Sequence, residues 1–262
     1  MGIINALGIL FAMGVVFFAF TYHNPNPGML VDPHGMIIVI GGTFACISVA
    51  YRLDRAGKMV LIFIKGFFNT RTPKRADIIR ELMGFAEAYR TNSADLKQRV
   101  DAASDPFMKE ALQALMDKVV DEKQLLRILY SRVNTIYELY IDESKMFAAC
   151  GKYPPAMGLM GAVLGMIMLL ASLGQPGAES RIGPSMAVAL VATLYGIVFA
   201  NLFVIPIGEN LTESAKVIKQ KNIIIVEGIR HIAQKVNPLV LAEELNSFLL
   251  PGERVDWKKD RA

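Results

Sequence analysis

Thr193 is the only threonine in the apolar stretch Met186–Ile207, which Pro206 closes, and Pro154 and Pro155 stand at the head of another, Ala156–Leu173. A hydroxyl in such a setting can bond back to its own helix or line a wet path. Proline costs a helix interior about 3 kcal/mol in water, because it has no N–H and crowds the preceding turn. Inside a bundle, neighbouring groups can satisfy the freed carbonyls, and the ends of adjacent helices are where a helix can hinge. The chemistry on offer is therefore slight: a few oxygens beside an apolar path and two bending points. There is no GxxxxGK[ST], no GxGxxG on a strand and no catalytic Ser/His or Cys/His context. Cys46 and Cys150 lie too differently to suggest a disulfide framework or a metal site, and His23, His34 and His231 are scattered. The expectation is a protein that is not an enzyme, holds no cofactor or metal, and couples to an ion gradient rather than to a bound nucleotide.

Four stretches must position these groups: Ile3–Tyr22, Met36–Tyr51, Ala156–Leu173 and Met186–Ile207, none with an Asp, Glu, Lys, Arg or His. The chain of 262 residues is 53% hydrophobic with a mean hydropathy of +0.37. A twenty-residue helix is roughly 30 Å long, the thickness of a hydrocarbon core. Met36–Tyr51 is the shortest and can extend towards Leu30. Met1-Gly2 brings no basic residue, so Ile3–Tyr22 reads as a retained span rather than a signal peptide. The expected fold is all-α, a polytopic membrane protein with four transmembrane helices and a cytoplasmic helical domain between spans 2 and 3. Its parts are residues 1–51 (spans 1 and 2), 52–153 (cytoplasmic domain), 154–207 (spans 3 and 4) and 208–262 (cytoplasmic helical tail).

Of the 28 Lys and Arg, eighteen fall in Arg52–Tyr153 and nine after Ile207, whereas Gly174–Ser185 holds only Arg181 and His23–Gly35 none. The positive-inside rule then puts the long segment, the tail and the N-terminus in the cytoplasm, in a multi-pass membrane protein. The pI near 9.0 follows from that bias, and no nucleic-acid partner is expected. Asp32 and Glu179 fall at the outer mouth, where both read as loop charges.

The cytoplasmic segment reads as helices. Gly57–Phe68 is apolar with Lys58 and Lys65, as in a helix lying against lipid headgroups. Thr72-Pro73 offers a cap for the helix over Asp77–Tyr89, where Ile78, Ile79, Leu82, Met83 and Phe85-Ala86 form one stripe. Asp105-Pro106 starts another, burying Phe107, Ala111, Leu112, Leu115, Met116 and Val119. From Glu122 the stripe Leu125, Leu126, Leu129, Val133, Ile136, Tyr140 suggests one helix running on into the third span. Arg90, Lys97, Arg99, Asp101, Lys109, Glu110 and Asp121 read as its solvated faces. Within the spans, Gly158, Gly161 and Gly165 leave a groove for a close backbone, and Ala192, Gly196 and Ala200 form a small-xxx-small face.

The chain resembles the flagellar-motor stator subunits of the MotA/PomA type, within the MotA/TolQ/ExbB group. The matching stretches are IIVIGGTFA (Ile37–Ala45), PAMGLMGAVLGMI (Pro155–Ile167), AVALVATLYGIVFAN (Ala187–Asn201) with Pro206, and the tail IVEGI…NPLVLAEELNSFLLPGER. The resemblance implies a pentamer around a dimer of single-span MotB-type subunits, whose aspartate carries the ion that these charge-free spans cannot. It implies that Pro155 and Pro206 serve the ion path and conformational coupling, and that Asp32 lies near the outer entrance. Thr193 and Ala162 match positions that are both threonine in sodium-driven relatives. With Ala162 and Ala192 in place of hydroxyl-bearing residues, the implied ion is H⁺ rather than Na⁺. The rotor protein FliG would meet a basic residue followed by acidic ones. Arg90 aligns with the first; Gln98 and Arg99 stand where Glu is expected, and Asp101 fits only after a register shift. The rival readings are an ExbB/TolQ-type energising subunit and a non-conducting membrane scaffold.

Overall fold

The computed structural model describes residues 3–22, 27–52, 57, 75–91, 96–118 and 120–256. The Thr72-Pro73 cap, Val119 and all of the Gly57–Phe68 helix beyond Gly57 lie outside these residues. Among the described residues every regular element is a helix, as the apolar periodicity predicts. Three helical runs, Pro33–Ala50, Glu122–Ser172 and Ile182–Ala233, are long and apolar enough to cross a membrane, and a shorter apolar helix covers Leu10–Ala19. Two compact units divide the chain: Met1–Thr70 with Ile141–Thr212, and Arg71–Tyr140 with Glu213–Ala262.

In the first unit, α1 (Ile3–Thr21) turns Leu10, Phe11, Phe17 and Phe18 to the exterior. The second helix, α2 (Pro33–Ala50), starts where Asp32 allows it. The Asp32 carboxylate accepts from the N–H groups of His34 (3.1 Å) and Gly35 (2.8 Å), with Pro33 in the first turn, where no N–H is needed. The extension towards Leu30 therefore stops at Asp32, and a separate 3₁₀ turn holds Pro27–Leu30. Helices α7 (Tyr153–Ser172) and α8 (Glu179–Phe199) follow. They pack along each other, and α2 lies against both.

The long helix α6 (Glu122–Cys150) does not run unbroken into α7. It ends in a turn at Gly151–Lys152, where the Gly151 N–H still reaches the Phe147 carbonyl at 3.1 Å. Pro154 and Pro155 explain the break, since neither has an N–H to continue the ladder. Both instead open α7, so the interior penalty does not apply to them.

The second unit holds α3 (Arg75–Arg90), α4 (Leu96–Asp101), α5 (Pro106–Asp117) and α10 (Pro238–Asn246). Parts of α6 and of α9 (Ile205–Ala233) complete it. One core unites Ile78, Ile79 and Leu82 with Met108, Leu129, Ile225, Ile229 and Leu241. The stripes read from the sequence supply about half of that core; α9, α10 and the C-terminal segment supply most of the rest, and Met108 rather than Phe107 is the fully buried residue of the first turn of α5. Asp105 caps α5 through the N–H groups of Phe107 (3.0 Å) and Met108 (3.1 Å). Its other oxygen takes the Lys221 ammonium, with the two side chains 3% and 12% exposed. Asn246 clasps the C-terminal segment, donating to the Val255 carbonyl (3.0 Å) and accepting from its N–H (2.9 Å).

Removing one member of a buried pair strands the other charge. Lys221→Met is therefore expected to cost the second unit about 3 kcal/mol, read as faster amide exchange throughout α5 and α9. The Tyr130 phenol donates to Glu227; burial first, then that bond and the Glu227 charge, push its pKa up to about 12. Because the folded value is raised, this contribution is whole below the ordinary phenol pKa and is lost as pH climbs through about 12. Phenolate absorbance of the protein minus that of Tyr130→Phe should show one tyrosine ionising late.

Candidate functional site

The glycines of α7 and the small residues of α8 face one another, so the groove and the small-xxx-small face expected separately are two halves of one contact. A Cβ on Gly158 would lie 2.8 Å from the Ala192 carbonyl and 3.1 Å from the Thr193 Cα. One on Gly161 would meet the Ala192 Cβ at 3.0 Å, and one on Gly165 the Ala189 Cβ at 3.0 Å. Gly196 sits against the backbone of Pro154 and Pro155, its absent Cβ 3.0 Å from the Pro155 Cα. Helices that cannot use the hydrophobic effect against lipid gain from such close backbone approach.

Thr193 stands in this contact, half-buried. Its hydroxyl lies 3.4 Å from two carbonyls, Ala189 on its own helix and Gly158 across the gap. Both contacts are long for an O–H donor. Ala162 is also half-buried on α7, beside Gly161. Pro155, Ala162 and Thr193 thus belong to one helix pair, and only Thr193 among them brings a side-chain oxygen.

Pro206 stands farther along the chain, in the first turn of α9. Just before it, Ala200–Val204 form a π turn in which the Ile205 N–H reaches back to the Ala200 carbonyl. A π turn adds one residue to the helical circuit. That gives the proline ring room where a regular turn would press it onto the carbonyl four residues earlier. A second π turn spans Ile37–Gly41 in α2, and Thr43 at its far end donates to the Val39 carbonyl at 2.6 Å.

Asp32 is no free loop charge. It is 8% exposed, and both carboxylate oxygens are engaged in capping α2. Its own N–H donates to the Tyr195 hydroxyl (2.9 Å), and that hydroxyl donates in turn to the Leu30 carbonyl. Tyr195 therefore clamps the start of α2 to α8, a role the sequence reading missed. The available signal was a tyrosine in an otherwise apolar run, where a buried phenol needs a partner. Asp32 and Ala192 line a common groove of about 460 Å³ with Gly161, Leu164 and Val188.

The expected rotor residues lie in the second unit. Arg90 is exposed in the last turn of α3. Asp101, at the end of α4, pairs with Lys109 at 3.3 Å and accepts a further bond from it through its backbone carbonyl. Among the described residues no group of three or more His, Cys, Asp or Glu is placed to hold a metal ion.

Comparison with known proteins agrees with the resemblance read in the sequence. Residues 99–222 match the family described as the MotA/TolQ/ExbB proton channel family. The chain is 27% identical to motility protein A of Borreliella burgdorferi over 97% of this chain and 96% of that one. It is 28% identical to chemotaxis protein PomA of Vibrio alginolyticus over 87% of each. Its fold matches the C. jejuni MotAB structure with a TM-score of 0.87, at 23% identity, over 98% of this chain. It matches the flagellar MotAB stator complex from Bacillus subtilis at 0.83 and 21% identity, over 97%.

The helix contact yields a paired expectation. Gly196→Ala drives a methyl into the Pro154 backbone and should cost about 1–3 kcal/mol by overpacking. Gly183→Ala, on the same helix with open space around it, should be neutral or gain a few tenths of a kcal/mol from helix propensity. Thermal unfolding of the two variants in detergent measures both.

Proposed function

We infer that this chain is a member of the MotA/TolQ/ExbB family and works as a flagellar-motor stator subunit, conducting ions together with a MotB-type partner and turning that flow into torque. It is not an enzyme. The observation that carries this reading is the tight pairing of α7 with the part of α8 after Gly183: neither stretch has a charged side chain, and Thr193 is the hydroxyl within their glycine–alanine contact. Ion transfer through such a corridor needs a titrating group from outside the chain. The MotB-type dimer supplies it as an aspartate in each single span.

The mechanism follows from the cost of burying charge. An ionised carboxylate beside α7 and α8 is expensive in an apolar setting and neutral once protonated. Each protonation therefore changes which packing of the adjacent helices is favoured. Pro155, at the head of α7, and Pro206, behind the π turn, are the points where the helices yield. Thr193 offers its oxygen along the path. Ala162 and Ala192 present methyl groups where sodium would want further oxygens, which favours H⁺ as the ion. Asp32 keeps the outer entrance by holding the start of α2 in place.

In this reading four helices span the bacterial inner membrane, in contact with its lipid, with α1 as the first span. Residues 52–153 and 208–262 and both termini lie in the cytoplasm. Five copies surround the partner dimer, and the cytoplasmic helices pass torque to the rotor protein FliG through Arg90 and Asp101. Single exposed charge pairs contribute little each but steer association strongly.

Co-expression with the partner, followed by swimming speed and proton uptake, tests this. Pro155→Ala and Pro206→Ala are each expected to cut both to a small fraction while the protein still inserts; unchanged motility in either would remove the coupling role. Exchanging sodium for potassium in the medium should leave speed unaltered. A sodium requirement would overturn the proton assignment. Retained torque in Arg90→Glu with Asp101→Lys would move the rotor contact elsewhere.

A further inference from the structure

A cavity of about 590 Å³ opens in the second unit between the head of α3 and the C-terminal segment. Three arginines line it, Arg75, Arg80 and Arg254, with Asp77 and Glu253 beside them and Val217 as an apolar wall. Its volume lies in the range of small-ligand sites. Arg80 shares its charge with Asp77 at 2.8 Å, in a pair whose side chains are 48% and 59% exposed. Such a pair is weak and opens at little cost. Among the described residues Arg75 and Arg254 have no ion-pair partner in the structure. Arg254 is also well placed: the next residue, Val255, is 3% exposed and bonded through both backbone groups to Asn246. The preceding turn is closed by the Glu253 N–H on the Leu250 carbonyl at 2.8 Å. The arginine backbone is thus held before any ligand arrives.

We propose that this cavity binds a phosphate-bearing anion, which Arg75 and Arg254 grip and Arg80 joins by leaving Asp77. Planar guanidinium forks match phosphate oxygens two at a time, which single ammonium groups do not. The phosphate comes from a soluble phosphorylated molecule or from the headgroup of an anionic lipid. The site is separate from the helix pair that carries the ion path, so its test does not need motility. A bound anion ties the head of α3 to the C-terminal segment.

The test uses the full chain with its partner in nanodiscs. Pyrophosphate is added at constant ionic strength to phosphatidylcholine discs, and separate discs carry phosphatidylglycerol with no added phosphate. Thermal unfolding of the second unit and direct titration are followed. A pyrophosphate-dependent rise in midpoint identifies the soluble source, and a rise in phosphatidylglycerol discs alone identifies the lipid. In either case Arg75→Gln and Arg254→Gln should each weaken binding about tenfold, and Glu253→Gln should strengthen it by removing the competing carboxylate. Lys123→Gln, which removes one exposed charge elsewhere, should bind as the parent does. The proposal is overturned by no response to either probe. It is overturned equally by a response that Arg254→Gln leaves intact or that Lys123→Gln abolishes as fully. If an arginine variant fails to fold, the response of Glu253→Gln decides alone: unchanged or weaker binding sinks the site.

Discussion

An unpaired charge or polar group has nowhere to go in an apolar medium, and the first unit is arranged around that cost. Its helices carry no Asp, Glu, Lys, Arg or His through their apolar stretches. Their hydroxyls are turned onto backbone carbonyls: Thr43 onto Val39, Ser172 onto Leu169, Tyr195 onto Leu30. Asp32, at the head of α2, is spent on two backbone N–H groups. With the polar atoms satisfied internally, the helices are free to pack by shape alone. Shape here means glycine and alanine, which let α7 and α8 meet backbone to backbone.

That arrangement separates the labour of the two units. In the first, α7 and α8 meet through glycine and alanine, with no charged side chain in the contact. The second is built like a soluble protein, around a shared core of Ile, Leu and Met, and it buries an ion pair where α9 meets the cap of α5. Two helices, α6 and α9, supply residues to both units. The chain thus continues from a polar-satisfied helix pair into a conventional core.

Much of this was legible before any coordinates. Strings of residues without charge announce apolar helices, and Asp105-Pro106 announces a helix start because a capping carboxylate followed by a proline has little other use. The stripes of α3 and α6 follow from the helical period. What stayed hidden depends on partners far apart in the chain. The small faces of α7 and α8 were visible, but not that each was the other's partner. Tyr195 reaches a residue 163 positions away, and Lys221 one 116 positions away; no local pattern encodes either. The break at Gly151–Lys152 was misread because a continuous apolar stripe outweighed two adjacent prolines, whose missing N–H groups decide the matter. Asp32 was placed near an entrance by resemblance, while its capping geometry was written in the Asp-Pro that follows the same rule as Asp105-Pro106.

The π turn at Ala200–Val204 leaves the helical run Ile182–Ala233 out of step with itself. One surplus residue advances everything downstream by roughly 100° about the axis. A face counted every fourth position through Ala192, Gly196 and Ala200 therefore cannot be extrapolated past Pro206 by arithmetic on the sequence. Two sides of the same rod point in directions set by a single inserted peptide, and a one-residue deletion there would turn one face of the helix relative to the other while leaving every remaining side chain unchanged.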